Sequence, residues 1–502
     1  MNTKKAVKNF IYSVLSQIVT ICLGLAVPRL ILLGYGSETN GLLGSVTQMI
    51  LYLNLFESGI HSVAMQSLYK PVNFDDKKAI SRILSAVHLS YRKIGAAYLG
   101  VLLLLAAIYP LFLADSDLQY WSVFAVVLFS GLGNVIIFFF QGKYKILLQA
   151  EGKNYILTNL QTIISVLNNM GKIICILLGC DIVVVVAVSF LISLIQAAYI
   201  CTLMSRKYSW IDLKSTPDYG AIAQKNSALV HELAAMVFQN TDVLILTVFC
   251  GLKVVSVYSI YKLVTSHLSA VLRGLYASIS FALGQKFNTD RPSFLRMIDA
   301  VDVYFGGLCF AFYAVAAALF LPFVQLYTQG VTDIPYADRI LCLLFVAVEL
   351  LTFLRMPMLN TINYAGHFKN TLPQTLLETA INLAVSLTSV RYLGIYGVLL
   401  GTVAALAYRD IDILLYTNHK ILNRTARKTF CIYGVDIIIF ALVRMGVNAI
   451  RFRIESYTDF IGIGLLLTPV VIGIYMLPLS IFFSDEKKVL RQAAKRVFGR
   501  GG

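Results

Sequence analysis

Charged residues are scarce: they make up 14% of the 502-residue chain against 58% hydrophobic residues, too little polar surface to cover a soluble globule of this size. Paired cysteines are lacking too. Cys22, Cys175, Cys180, Cys201, Cys250, Cys309, Cys342 and Cys431 lie in or beside apolar stretches without the short spacings of metal or redox sites, so they read as small buried hydrophobes. No metal and no cofactor is expected. No phosphate-binding loop ending Gly-Lys-Ser/Thr is present, which points away from nucleotide as the energy source. Acids are outnumbered, 26 against 42 Lys and Arg, for a net charge of +16. In a soluble protein that excess would suggest nucleic acid. Here the cations sit in alternate short loops, as the positive-inside rule of membrane insertion expects, and no nucleic-acid partner follows.

Apolar stretches of roughly twenty residues, each long enough to cross the ~30 Å hydrocarbon core as a helix, recur about fourteen times between Phe10 and Phe483. The sequence therefore predicts an all-α, polytopic membrane protein of about 14 transmembrane helices. Of the Lys and Arg, about 30 fall on the side of the N-terminus, about 5 on the other and about 7 inside spans. Both termini are thus expected on the cytoplasmic side, in a multi-pass protein of the cytoplasmic membrane. The opposite loops are short and acidic, with Glu38, Asp115, Asp117, Asp181, Asp333 and Asp338, which leaves no outer domain. Lys4, Lys5 and Lys8 precede a long apolar run without a convincing cleavage site, read as a retained first helix.

An offset of about 214 residues brings the two halves into register. Leu30-Ile31-Leu32 falls on Leu244-Ile245-Leu246, each followed by a brief glycine-containing turn. Pro110 falls within a few residues of Pro322, Gly152-Lys153-Asn154 near Gly366-His367-Phe368, and Leu178-Gly179 on Leu393-Gly394. Helices one to six are repeated by seven to twelve, and because six spans separate the copies the repeat is parallel rather than inverted. The expected organisation is an N-lobe over 1–204, a cytoplasmic linker over 205–226, a C-lobe over 227–420, helices thirteen and fourteen over 421–484, and a basic amphipathic tail over 485–502. In the tail, Leu490, Ala494, Val497 and Phe498 share one face among Lys487, Lys488, Arg491, Lys495 and Arg496, a pattern suited to the anionic inner leaflet.

A cation near mid-membrane costs about 2.5–3.5 kcal/mol on insertion scales, so it faces a polar cavity, pairs with an acid or snorkels to an interface. In span eight, Tyr258, Lys262, Thr265, Ser266, Ser269, Arg273 and Tyr276 recur at steps of three and four, one polar face with two cations. Span two carries Asn54, Glu57 and His61 on a comparable face. Glu57 and His61 at i, i+4 suit a proton or cation site, or an internal hydrogen bond. Pro28-Arg29 lies deep in span one, where the proline is expected to kink the helix and let Arg29 point inward. Asp242 in span seven, Glu349 and Arg355 in span ten and Glu378 in span eleven complete the set, with the acids as ion-coupling candidates. Arg409 with Asp410 and Asp412, and Asp436 with Arg444, are expected as structural ion pairs. The repeat sets Gln48 opposite Lys262 and Gly59 opposite Arg273, which makes the cationic lining heavier in the second half.

With these residues in place, the chain resembles the polysaccharide transporters, or lipid-linked oligosaccharide flippases, of the multidrug/oligosaccharidyl-lipid/polysaccharide exporter superfamily. Glu57-Ser58-Gly59-Ile60 followed by Leu68-Tyr69-Lys70-Pro71 looks like the family's second-helix motif. Asn240-Thr241-Asp242 followed by Val243-Leu244-Ile245 looks like its seventh-helix motif, and Leu148 to Tyr155 like its loop before the fifth helix. The resemblance implies a two-lobed transporter that carries an undecaprenyl-diphosphate-linked sugar repeat unit to the outer leaflet by alternating access, for cell-surface polysaccharide such as capsule or lipopolysaccharide. H⁺ or Na⁺ coupling, membrane lipids, and polymerase or glycosyltransferase partners belong to that expectation. The diphosphate would be held by Lys262 and Arg273 with Arg29 or Arg355, and the sugar by Tyr258, Ser266, Ser269 and Asn54.

Two other functions fit parts of the pattern. A multidrug or metabolite exporter of the same superfamily would use Glu57, Asp242 and Glu378 for a cationic drug, against which Lys262 and Arg273 argue. An integral-membrane polymerase or glycosyltransferase needs acids or bases on a sizeable loop, and the outer loops are only about five to fifteen residues.

Overall fold

The computed structural model describes residues 3–113, 116–222, 226–367, 369–450 and 452–489. Residues 490–502 of the expected amphipathic tail lie outside the described residues. Among the described residues the chain forms helices and no strand. In order they are α1 Thr3–Leu53, α2 Leu55–Asn73, α3 Lys77–Ile108, α4 Tyr120–Ile136, α5 Gly142–Ala150, α6 Asn154–Leu177, α7 Ile182–Lys207 and α8 Asn226–Cys250. They continue with α9 Leu252–Thr289, α10 Arg291–Tyr327, α11 Arg339–Leu354, α12 Met356–Tyr364, α13 Leu372–Leu393, α14 Ile395–Tyr416, α15 Arg427–Ile450 and α16 Tyr457–Phe482.

These segments group into fourteen rods. α1 contains two of them, because the backbone breaks at Gly36 (φ 80°, ψ 177°); it stays helical through Pro28, so the turn falls at the glycine rather than at the proline. The second part of α1 runs on into α2, α4 runs through a wide π-type turn at Ile137–Gln141 into α5, and α11 meets α12 at Arg355. Nine helical stretches among the described residues are long and apolar enough to span a bilayer. α8, α9, α13 and α14 fall outside that set: each carries buried or half-buried polar residues in its middle, as helices that line or lock a protein interior do.

The internal repeat is visible in the backbone. Gly36 and Gly251 have φ of 80° and 81°, Gly152 and Gly366 of 71° and 70°, and Gly179 and Gly394 of 73° and 54°. Each pair sits at matched positions of the two halves, at turns that need the left-handed region where a side chain is strained. Packing partners repeat as well. α3 lies on α4, α4 on α7 and α6 on α7, while α10 lies on α11, α11 on α14 and α13 on α14; α15 and α16 both pack on α10.

The chain divides into two compact units, Met1–Ser256 and Val257–Gly502. In the first, Leu42, Val46, Tyr98, Leu102, Val126 and Phe138 form one core cluster. Leu68, Leu84, Tyr91, Ile146 and Leu147 form another, onto which Trp210, Ile211 and Leu213 of the 205–222 segment pack. That segment is fastened to α3 through Ser85 Oγ, which donates to the carbonyls of Leu213 (3.0 Å) and Ser215 (2.8 Å). The second unit is centred on buried aromatics, among them Tyr261, Phe294, Phe310, Tyr313, Phe345 and Phe353. Its tightest seam is α13 against α14. Gly397 and Gly401, four residues apart, let the backbones approach, and a Cβ on Gly401 would come within 2.2 Å of Ser386 Oγ, the close contact that small residues permit between membrane helices.

Candidate functional site

The polar face of α9 is two faces set side by side. Tyr258, Thr265, Ser269 and Tyr276 are buried; at about 100° per residue they fall within a narrow arc. Tyr258 turns its ring to Phe345, 5.2 Å between centroids, so it belongs to the packing of the second unit. Lys262, Ser266 and Arg273 lie roughly 40–80° further round, with Lys262 half-buried and Ser266 and Arg273 exposed. Neither cation forms a salt bridge among the described residues.

Arg273 stands over the Phe353 ring, 5.7 Å from its centroid, at one wall of a cavity of about 530 Å³ that Tyr276, Ser280, Phe281, Met356, Leu359 and Asn360 also line. Below it runs a ladder of neutral hydrogen-bonding groups. Asn360 Nδ2 donates to Tyr276 OH (3.1 Å) and Ser280 Oγ (3.2 Å), and Ser280 Oγ meets Tyr364 OH at 2.7 Å. A guanidinium above amide and hydroxyl groups is a set suited to an anion attached to a polyol.

The acids near this face are engaged. Glu349, buried on α11, accepts from Ser269 Oγ at 2.5 Å, and Ser269 also meets Tyr313 OH at 3.3 Å. Arg355 and Glu378 hold each other at 2.6 Å, with side chains 14% and 8% exposed. Glu378 Oε2 lies 3.6 Å from Arg409 Nε, and Arg409 also bonds Asp412 and, at 3.2 Å, Thr375 Oγ1. Arg355 is therefore part of a buried ion network.

Of the ion pairs expected from sequence, Arg409–Asp412 forms, whereas Arg409–Asp410 and Asp436–Arg444 are absent among the described residues. Asp410 is buried, yet neither carboxylate oxygen has a hydrogen-bond partner, because one residue after Arg409 it points about 100° away. Asp436 is fully buried and likewise without a partner; Arg444, two turns or about 12 Å further along α15, donates instead to the carbonyl of Ala317 at 2.6 Å.

In the first unit, Asn54 at the junction of α1 and α2 accepts from Asn134 Nδ2 at 2.8 Å, and Asn134 also reaches Tyr98 OH at 3.1 Å. Glu57 accepts from Tyr91 OH at 3.1 Å and lies 3.8 Å from His61 Nδ1, both side chains about a third exposed (30% and 32%). The pair is thus tied to α3 by a tyrosine. Asp242 is buried on α8, next to Thr241, whose hydroxyl meets Tyr52 OH at 2.6 Å. Arg29 is half-buried on α1. The structure gathers Lys262, Ser266 and Arg273 on one shoulder, Arg355 with Glu378, Ser269 with Glu349, and Glu57 with His61.

The candidate residues left out α6. There Thr158, Gln161, Thr162, Ser165, Asn168, Asn169 and Lys172 recur at the same three- and four-residue steps that singled out α9, and no residue of the helix is buried. The signal was present in the spacing.

No family model matches the chain, and no curated protein does. Among solved structures it is similar to the lipid II flippase MurJ in an inward closed conformation, with a TM-score of 0.67 and 16% identity over 95% of this chain and 99% of that one. It is also similar to the inward-facing conformation of a multidrug resistance MATE family transporter of the MOP superfamily, with a TM-score of 0.63 and 15% identity over 82% of this chain and 96% of that one. The chain has the all-helical, multi-pass membrane fold that these proteins share.

Proposed function

We propose that the protein is a flippase that carries an undecaprenyl-diphosphate-linked oligosaccharide repeat unit from the inner to the outer leaflet of the cytoplasmic membrane by alternating access, for cell-surface polysaccharide. The observation that carries this reading is the shoulder of α9. Lys262 and Arg273 have no carboxylate partner among the described residues, and Arg273 borders a cavity floored by tyrosine, serine and asparagine. A diphosphate supplies the negative charge these cations lack, and sugar hydroxyls match the neutral ladder. The prenyl tail stays in lipid, so only the head is desolvated. The fold shared with a lipid II flippase supports the same reading.

In this reading alternating access is the work of two six-helix lobes, 1–204 and 227–420, and Glu57 with His61, and Asp242, are the residues proposed for H⁺ or Na⁺ coupling. A cation-exporting role has less support, since Glu349 and Glu378 are occupied by Ser269 and Arg355. The test is Lys262→Ala and Arg273→Ala in the native host, each checked for membrane insertion. The expected result is loss of surface polysaccharide at normal protein level; wild-type polysaccharide from both would remove the support for this function.

A further inference from the structure

Lys172 is a cation with no carboxylate partner on the helices packed against it. It lies five residues before the end of α6, within the span, and forms no salt bridge or hydrogen bond among the described residues. The helices packed on α6 are α1, α5 and α7. α5, α6 and α7 contain no Asp or Glu, and the sole acid of α1 is Glu38, beyond the break at Gly36, where it pairs with Lys253 at 3.6 Å. The polar residues beneath Lys172 fall within an arc of about 120°. Several of them are satisfied by their own helix: Thr158 and Thr162 hydroxyls donate to carbonyls one turn back, as does Asn169 Nδ2, at 2.9 Å, to Ser165. The lysine is the group left over. Its Cα–Cβ bond tilts toward the N-terminus of the helix, back along the polar stripe and away from the nearer membrane surface, so snorkelling to that surface runs against the side chain's direction.

We propose that Lys172 and the polar face of α6 form a phosphate-binding furrow in the first unit, a second holding point for the phosphorylated head of the lipid-linked substrate; this rests on the flippase reading above. The ammonium supplies the charge, and Asn168 Nδ2 and Ser165 Oγ, one and two turns below, supply neutral donors for phosphate oxygens. The furrow would hold the head at a different step, or a different group, from Arg273.

A charge-sensing experiment tests the furrow without relying on transport. In a chain whose native cysteines are replaced, Ser165→Cys is exposed to two membrane-impermeant methanethiosulfonates, one anionic and one cationic. The inference predicts that the anionic reagent gains about tenfold over the cationic one relative to a free thiol in solution, that Lys172→Gln abolishes the gain and that Lys172→Arg keeps it. Reaction with neither reagent, or a ratio indifferent to Lys172→Gln, overturns it. As a second measurement on the chain with its native cysteines, undecaprenyl diphosphate in phosphatidylcholine nanodiscs is retained by the wild type and by Lys172→Arg and lost from Lys172→Gln. Displacement of that lipid by phosphatidylglycerol at equal concentration would assign the furrow to ordinary phospholipid and overturn the substrate assignment. The two readings fail separately. A charge preference at Ser165→Cys with wild-type polysaccharide from Lys262→Ala and Arg273→Ala sinks the flippase reading, whereas polysaccharide loss from those variants without the charge preference sinks the furrow alone.

Discussion

The helix pair α6–α7 and its repeat α13–α14 are built on one plan and differ in what stands between the helices. Both are held by an asparagine to a hydroxyl: Asn168 Oδ1 accepts from Ser189 Oγ at 2.9 Å, and Asn382 Nδ2 donates to Thr402 Oγ1 at 3.0 Å. In α14, Gly397 and Gly401 bring the backbones together so closely that Ser386 fills the gap, fully buried and donating to the Val398 carbonyl. At an offset of 214 Gly397 and Gly401 fall on Val183 and Ala187 of α7, and Ser386 falls on Lys172. A lysine would not fit the α13–α14 seam. The second unit also surrounds its buried arginines with acids, Arg355 with Glu378 and Arg409 with Glu378 and Asp412, while α6 and α7 have none. One copy of the repeat is a closed, charge-balanced brace; the other keeps an open, cationic face. The expectation of a heavier cationic lining in the second half counted Arg355, which Glu378 holds, and left out Lys172 of α6.

Three experiments sharpen this contrast. The largest effect is expected from Glu378→Gln, which strands Arg355 in a buried network and leaves Arg409 to Asp412 alone; removing one partner of a buried ion pair costs about 3–5 kcal/mol, read as a lowered unfolding temperature and a loss of monodisperse protein in detergent. If Glu378→Gln is as stable as wild type, the brace is not electrostatically balanced as described. Next is Gly401→Val, whose added carbons would collide with Ser386 at about 1–3 kcal/mol, whereas Ala187→Val in α7 should change the unfolding temperature little. Equal losses would show the two seams to be alike. The smallest is the asparagine pair: interhelical hydrogen bonds in membranes average about 0.6 kcal/mol, and Asn382→Ala, at a fully buried site, should exceed Asn168→Ala, at a half-buried one.

Much of this architecture can be read from residues alone, because membrane helices and glycine turns are local. Apolar length marks the spans, and the matched glycines at 36 and 251, 152 and 366, and 179 and 394 take positive φ in both halves, as their alignment suggests. The α9 stripe was legible as a stripe but not as two faces, since a shift of about 40–80° around a helix separates a buried hydroxyl from an exposed cation and only neighbouring helices decide which is which. Glu349 and Glu378 were legible as intramembrane acids; their partners, Ser269 and Arg355, come from other helices or from a break between two. Asp436 and Arg444 looked like a pair in one span, yet two helical turns keep them apart. Lys172 needed no structure to be noticed, only the spacing rule applied to span five, and its importance rests on the acids missing from every helix packed against it.

The proposal that unpaired cations on α9 hold a phosphorylated lipid carrier is put to the test by native mass spectrometry of the purified protein with a lipid-linked oligosaccharide diphosphate. Wild type is predicted to retain the adduct and the Lys262→Ala, Arg273→Ala double variant to lose it, with Arg355→Met, Glu378→Met unchanged because that pair is already neutralised. Equal retention by the Lys262→Ala, Arg273→Ala variant and wild type would show that these cations do not hold the diphosphate.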